Sequence, residues 1–150
     1  MSSRPSTACT PIRVSRICCD RGKNFFAGGH NCAFASATQS IDVSAGASLI
    51  DAKKVGFTLS GFLGGFHNQN DTATLTATFK DANGRSLGTS KIGPVTARDR
   101  KSITGLLPRH ATGSIPPSTH TVVLELSMKR VEPYYNDGYA DNLTLVLNTR

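Results

Sequence analysis

The chain has 150 residues, 14 of them glycine, and a formal net charge of +7. That length suits one domain with its own core, and the glycine, Thr and Ser content favours strands and turns over helices. No stretch approaches the roughly 18 apolar residues of a membrane-spanning helix. The basic residues form no run of five and are not interleaved with aromatics, which argues for a solvated basic face rather than a nucleic-acid groove.

Residues 1–23 read as an N-terminal arm, with one short strand expected over Ile12 to Ile17 and no signal peptide in the polar start. All four cysteines, Cys9, Cys18, Cys19 and Cys32, fall in the first 32 residues. An even, clustered set points to one or two disulfides pinning the arm to the body. A zinc knot of Cys18 or Cys19 with His30 and Cys32 matches no known spacing, and free thiols are the remaining alternative.

A jelly-roll domain is expected over residues 24–150. Asn24 to Asn31, with Gly28-Gly29, reads as a loop. Phe34 to Val43 looks extended, and Ser44 to Asp51 reads as a loop or a helical turn. Val55, Phe57, Leu59, Gly61 and Leu63 then alternate as one face of a strand. A glycine-rich loop over 64–71 leads into the alternating strand Thr72 to Lys80. Asp81-Ala82-Asn83-Gly84 is a hairpin turn that pairs this strand with Arg85 to Ile92. A looser strand over Ile103 to Ile115 is interrupted by Pro108, which suits a sheet edge or a bulge. Thr121 to Arg130 is a strand, and Leu143, Leu145 and Leu147 line the last one. Roughly seven strands joined by turns predict an all-β, antiparallel β-sandwich of jelly-roll type.

If successive strands alternate in direction, the loops at 24–33, 64–71, 93–102 and 131–138 share one end of the sandwich. That end gathers the aromatic and amide residues expected to bind a ligand: Phe66, His67, Asn68, Gln69, Tyr134, Tyr135, Asn136 and Asp137. Asp137 and Asp141, with Asn136, Asn142 and turn carbonyls, supply the hard oxygens that calcium prefers. A carboxylate at the buried start of the last strand, as Asp141 would be, is costly unless coordinated or hydrogen-bonded.

The run Tyr139-Ala140-Asp141-Asn142-Leu143-Thr144-Leu145 resembles the closing strand of the galactose-binding-domain-like jelly rolls, which include many carbohydrate-binding modules. Asn24-Phe25-Phe26-Ala27-Gly28-Gly29, Ser60-Gly61-Phe62-Leu63-Gly64-Gly65, Gln69-Asn70-Asp71 and Tyr135 to Asn142 also resemble a group of uncharacterised bacterial extracellular domains. The resemblance spans about residues 24–147. It implies a structural calcium on Asp141 shared with an early loop, where Asn24 and neighbouring carbonyls are the candidates beside Asp137 of the turn, and an extracellular or secreted setting. With no Trp in the chain, sugar stacking would fall to Phe66, Tyr134, Tyr135 or Tyr139, and hydroxyl contacts to His67, Asn68, Gln69 and Asn136.

The function expected is thus a non-catalytic, lectin-like carbohydrate-binding module. The alternatives are a structural or adhesive domain that contacts protein through the same loops, and a hydrolase using His30 or His67 with Asp71, Asp99 or Asp137. No nucleophile elbow, phosphate loop or zinc-protease motif is present.

Overall fold

The computed structural model describes residues 12–15, as a strand, and 24–150. Cys9, Cys18 and Cys19 lie outside the described residues, and the predicted disulfides with them; Cys32 is buried in the core. The strands are β1 (Ile12–Ser15), β2 (Asn24–His30), β3 (Phe34–Asp42), β4 (Val55–Gly65), β5 (Thr72–Lys80), β6 (Ser86–Ile92), β7 (Gly105–Ser114), β8 (Thr121–Lys129) and β9 (Tyr135–Thr149). A 3-10 turn (Ser44–Gly46) and a short helix α1 (Ala47–Asp51) join β3 to β4. Every pairing is antiparallel, in two sheets ordered β1-β2-β9-β4-β7 and β3-β8-β5-β6. The all-β sandwich is as the alternation predicts.

The core between the sheets follows the sequence pattern. Leu59 and Leu63 of β4 meet Leu75, Ala77 and Phe79 of β5 and Val122, Leu126 and Met128 of β8, all nearly fully buried. A second, smaller cluster of Phe25, Ala27, Leu106 and Tyr139, with Phe62 against it, covers the other side of the five-stranded sheet. Side chains alternate along a strand, and Phe62 and Tyr139 adjoin the core residues Leu63 and Ala140, so this cluster lies on the sheet's outer face. Phe25 packs edge-on against Tyr139 with ring centroids 4.8 Å apart, worth about 1 kcal/mol beyond its burial.

Two expectations are corrected. Asn24 to His30 is a strand and not a loop, because β1 on one side and β9 on the other give its backbone partners. The polar stretch before Leu143 is likewise strand: β9 begins at Tyr135, pairing with β2 from there and with β4 from Tyr139. It accommodates two bulges. Ala27 and Gly29 of β2 face Tyr139 and Asn136, so β9 spends three steps where β2 spends two. Ser60 and Phe62 of β4 face Thr144 and Asp141 in the same way. The second bulge carries Asn142 at φ +48°, a left-handed conformation that Asn tolerates better than most residues.

The connections fall at the two ends by alternation. Phe34, Lys129 and Thr72 stand side by side, and Gly65 stands beside Gly105. The turns and loops at 31–33, 66–71, 93–104 and 130–134 therefore share one end. There, Asn31 donates its N–H to the carbonyl of Tyr134 and Arg130 to that of Ala33.

Candidate binding site at the loop end

Four loops arriving at one end need something to fix them, and two buried charged side chains do so. Asp71 is 1% exposed. Its Oδ1 accepts the backbone N–H groups of Val131 and Glu132, and its Oδ2 accepts that of Asp137 at 2.9 Å. One carboxylate thus ties the start of β5 to the approach and the first turn of β9. Arg100, 5% exposed, reaches from the 93–104 loop. Its guanidinium donates to the carbonyls of His67 at 2.8 Å, Ile103 at 2.6 Å and Gln69 at 3.2 Å. Burial pulls its pKa below the usual value. His67, at φ +41°, is held besides by its N–H to Oγ1 of Thr104 at 3.0 Å.

On this frame sits a cavity of about 290 Å³ lined by Ala27, Phe66, Tyr135, Asp137 and Tyr139. Phe66 is exposed, with its ring centroid 4.3 Å from that of His67 in an edge-on arrangement. Tyr135 is half-buried, its ring 6.4 Å from that of His30. Asp137 is 7% exposed, and its Oδ1 accepts the hydroxyl of Tyr139 at 2.7 Å. Burial raises the Asp137 pKa, the Tyr139 hydrogen bond offsets part of that rise, and the charge on Asp71 adds to it. Burial, with the Asp137 carboxylate beside it, pushes the Tyr139 hydroxyl well above the ordinary tyrosine range.

The structure distributes the predicted ligand residues unequally. Phe66, Tyr135 and Asp137 line the cavity. His67, Asn68 and Tyr134 are exposed on the loops around it, Tyr134 at 74%. Gln69 is half-buried, with its side-chain oxygen enclosed and unpartnered. Asn136 is 0% exposed. Its amide donates to the carbonyl of Met128 at 3.0 Å and accepts the N–H of Gly138 at 3.2 Å, so it braces the bulge and faces away from any ligand. Gly28 makes room for it, since a Cβ there would lie 2.1 Å from the Asn136 Cγ.

The expected calcium ligands, Asp141, Asp137 and Asn24, are spread over β9 and β2. Asp137 and Asp141 are on one strand with Tyr139 between them. Phe25 and Ala27 of β2 face outward, so the alternating Asn24 points to the opposite face from Asp141, which shares the outer face with its partner Phe62. No group of three His, Cys, Asp or Glu side chains converges among the described residues. Asp141 offers an enclosed oxygen. Its Oδ1 accepts the N–H of Asn142 at 2.9 Å, while its buried Oδ2 has no hydrogen-bond partner.

Arg100 and the clasping role of Asp71 escape a reading of the sequence. Neither sits in a periodic pattern, and the only signal is a carboxylate placed immediately before a strand, where it can accept backbone N–H groups. Of the acids considered for hydrolysis, Asp99 is instead taken up by the N–H of Thr96 and by Arg109, at 2.9 and 3.6 Å.

No family model matches the sequence, and no curated protein matches it. Solved structures share the fold. The enzymatically active domain of tailspike protein 4 from Bacteriophage CBA120 aligns with a TM-score of 0.62 at 16% identity, over 94% of this chain and 18% of that one. Family 16 Carbohydrate Binding Module-2 aligns with a TM-score of 0.60 at 15% identity, over 95% and 89% of the two chains. A structure of infectious bursal disease virus, Gx strain, aligns at 0.51 and 12% identity, over 82% and 28%. This chain thus spans under a fifth of the tailspike chain and most of the carbohydrate-binding module, and the likeness is one of fold.

Proposed function

We propose that this chain is a non-catalytic carbohydrate-binding module that works outside the cell and holds its ligand at the loop end. The observation that supports this most is the cavity itself: Phe66, Tyr135 and Tyr139 surround a single carboxylate, Asp137. Aromatic rings suit the C–H faces of a sugar, and a carboxylate accepts its hydroxyls. The kinship of fold with a carbohydrate-binding module agrees with the reading. His67, Asn68, Gln69 and Tyr134 would form the rim, with Asn136 as internal support. Because the loops are pinned by Asp71 and Arg100, the site is largely preformed, which lowers the ordering cost of binding.

A structural calcium belongs to the same proposal, anchored on Asp141. Its support is the unpartnered buried Oδ2, which a cation would satisfy.

A glycan array probed with the purified chain in the presence of calcium tests the function. Selective retention on a set of glycans is the expected result, and no retention on any would refute it.

A further inference from the structure

The cavity has one chemical peculiarity that sugar binding in general does not require. Its single charged lining residue, Asp137, is 93% buried and has no ion pair. The ion pairs among the described residues are Arg85 with Asp81 and Arg109 with Asp99, both elsewhere. Arg100, a buried cation at this end, donates from its two terminal nitrogens to three carbonyl oxygens and makes no ion pair with Asp137. Tyr139 gives Asp137 one neutral hydrogen bond, and Asp71 nearby adds a second negative charge. A buried carboxylate with one neutral hydrogen bond and no ion-pair partner is costly, and a cation that joins it relieves that cost.

The remaining lining is three aromatic rings, Phe66, Tyr135 and Tyr139, and the small Ala27. Ring faces attract ammonium groups, and several rings with one carboxylate make a site that favours a cation over a neutral group of the same shape. We propose that this cavity takes a protonated amine, so that the glycan bound is one bearing amino sugars. The glycan half of this rests on the carbohydrate-binding reading above, and the amine half rests on the cavity wall. An anionic sugar would meet Asp137 and Asp71 unfavourably, and a neutral one would leave the buried carboxylate without an ion-pair partner. Burial as the main cause of the raised Asp137 pKa fits the same picture. The other titratable groups around it are Tyr135, Tyr139, Asp71 and Arg100, with His30 and His67 against the aromatic walls.

The test is calorimetric titration of the full chain with four probes: a glucosamine oligomer, its N-acetylated counterpart, a glucose oligomer of equal length, and choline, at a pH where the amine and Asp137 are both ionised. The glucosamine oligomer should bind about tenfold or more tightly than its acetylated and glucose counterparts, the worth of a charge-assisted hydrogen bond. Asp137→Asn should abolish that preference, and Phe66→Ala, at an exposed position, should reduce it even if the first variant folds poorly. Equal binding of the three oligomers would overturn the amine inference and leave the carbohydrate reading standing. Choline bound in an Asp137-dependent way with no oligomer bound would uphold the amine site and overturn the carbohydrate reading. No binding by any probe would overturn the inference.

Discussion

The hydroxyl of Tyr139 donates to Asp137 at 2.7 Å, and this contact joins the cavity to the apolar cluster on the outer face of the five-stranded sheet. Tyr139 belongs to both, packing on Phe25 and lining the cavity. The position of the Asp137 carboxylate is therefore set by the sheet and not by a loop.

Because burial raises the Asp137 pKa above its ordinary 3.8, the folded chain binds this proton more tightly than the unfolded one. As pH rises from about that value through the folded pKa, the unfolded state releases its proton first and stability falls. Asp42, Asp81 and Asp99 have lowered pKa values and act oppositely, giving stability that is lost as pH drops. Asp137→Asn removes only the first effect. Urea unfolding should show the variant gaining on the parent as pH rises from acid to neutral, and a constant difference would contradict the assignment.

Asp71 holds three backbone N–H groups with its two oxygens. An amide can accept through only one atom, so Asp71→Asn leaves at least one buried N–H without a partner. The expected loss is about 2 to 4 kcal/mol, measured by chemical denaturation. A change under about 0.5 kcal/mol, typical of a plain surface site, would refute the clasp.

Gly28→Ala forces a methyl against the buried Asn136 amide and should cost about 2 kcal/mol through overpacking. Gly105→Ala is the control. Nothing lies within 4 Å of a Cβ there, and its effect should stay within about 0.5 kcal/mol.

If Asp141 anchors calcium, EDTA should lower the melting temperature of the parent chain, since a ligand bound only by the folded state stabilises it. Asp141→Ala should melt at one temperature with or without EDTA. A parent chain indifferent to EDTA would remove the calcium.

The sandwich was legible where local signals agreed. Thr72 to Lys80 alternates cleanly, and the Asp81 to Gly84 turn closes as expected, with Asp81 accepting the N–H groups of Asn83 and Arg85 and Gly84 at φ +79°. Strand β2 was hidden because Gly28 and Gly29 signal a turn, whereas Gly28 is there to admit Asn136. Counting by twos from Leu143 would put Asp141 in the core. The extra residue Asn142 reverses the count, placing Ala140 inside and Asp141 outside. Asn136 reads as a surface amide from its neighbours in sequence, but its side chain turns inward against Gly28 of β2 and donates to the Met128 carbonyl of β8. Bulges and inward-turned amides depend on the partner strand, which local periodicity does not report.

The most direct test of the central claim is to map a glycan selected by array onto the chain by NMR chemical-shift perturbation. Shifts concentrated at Ala27, Phe66, Tyr135, Asp137 and Tyr139 are predicted. Shifts concentrated instead on the groove at the opposite end, around Leu49 and Leu147, would contradict it.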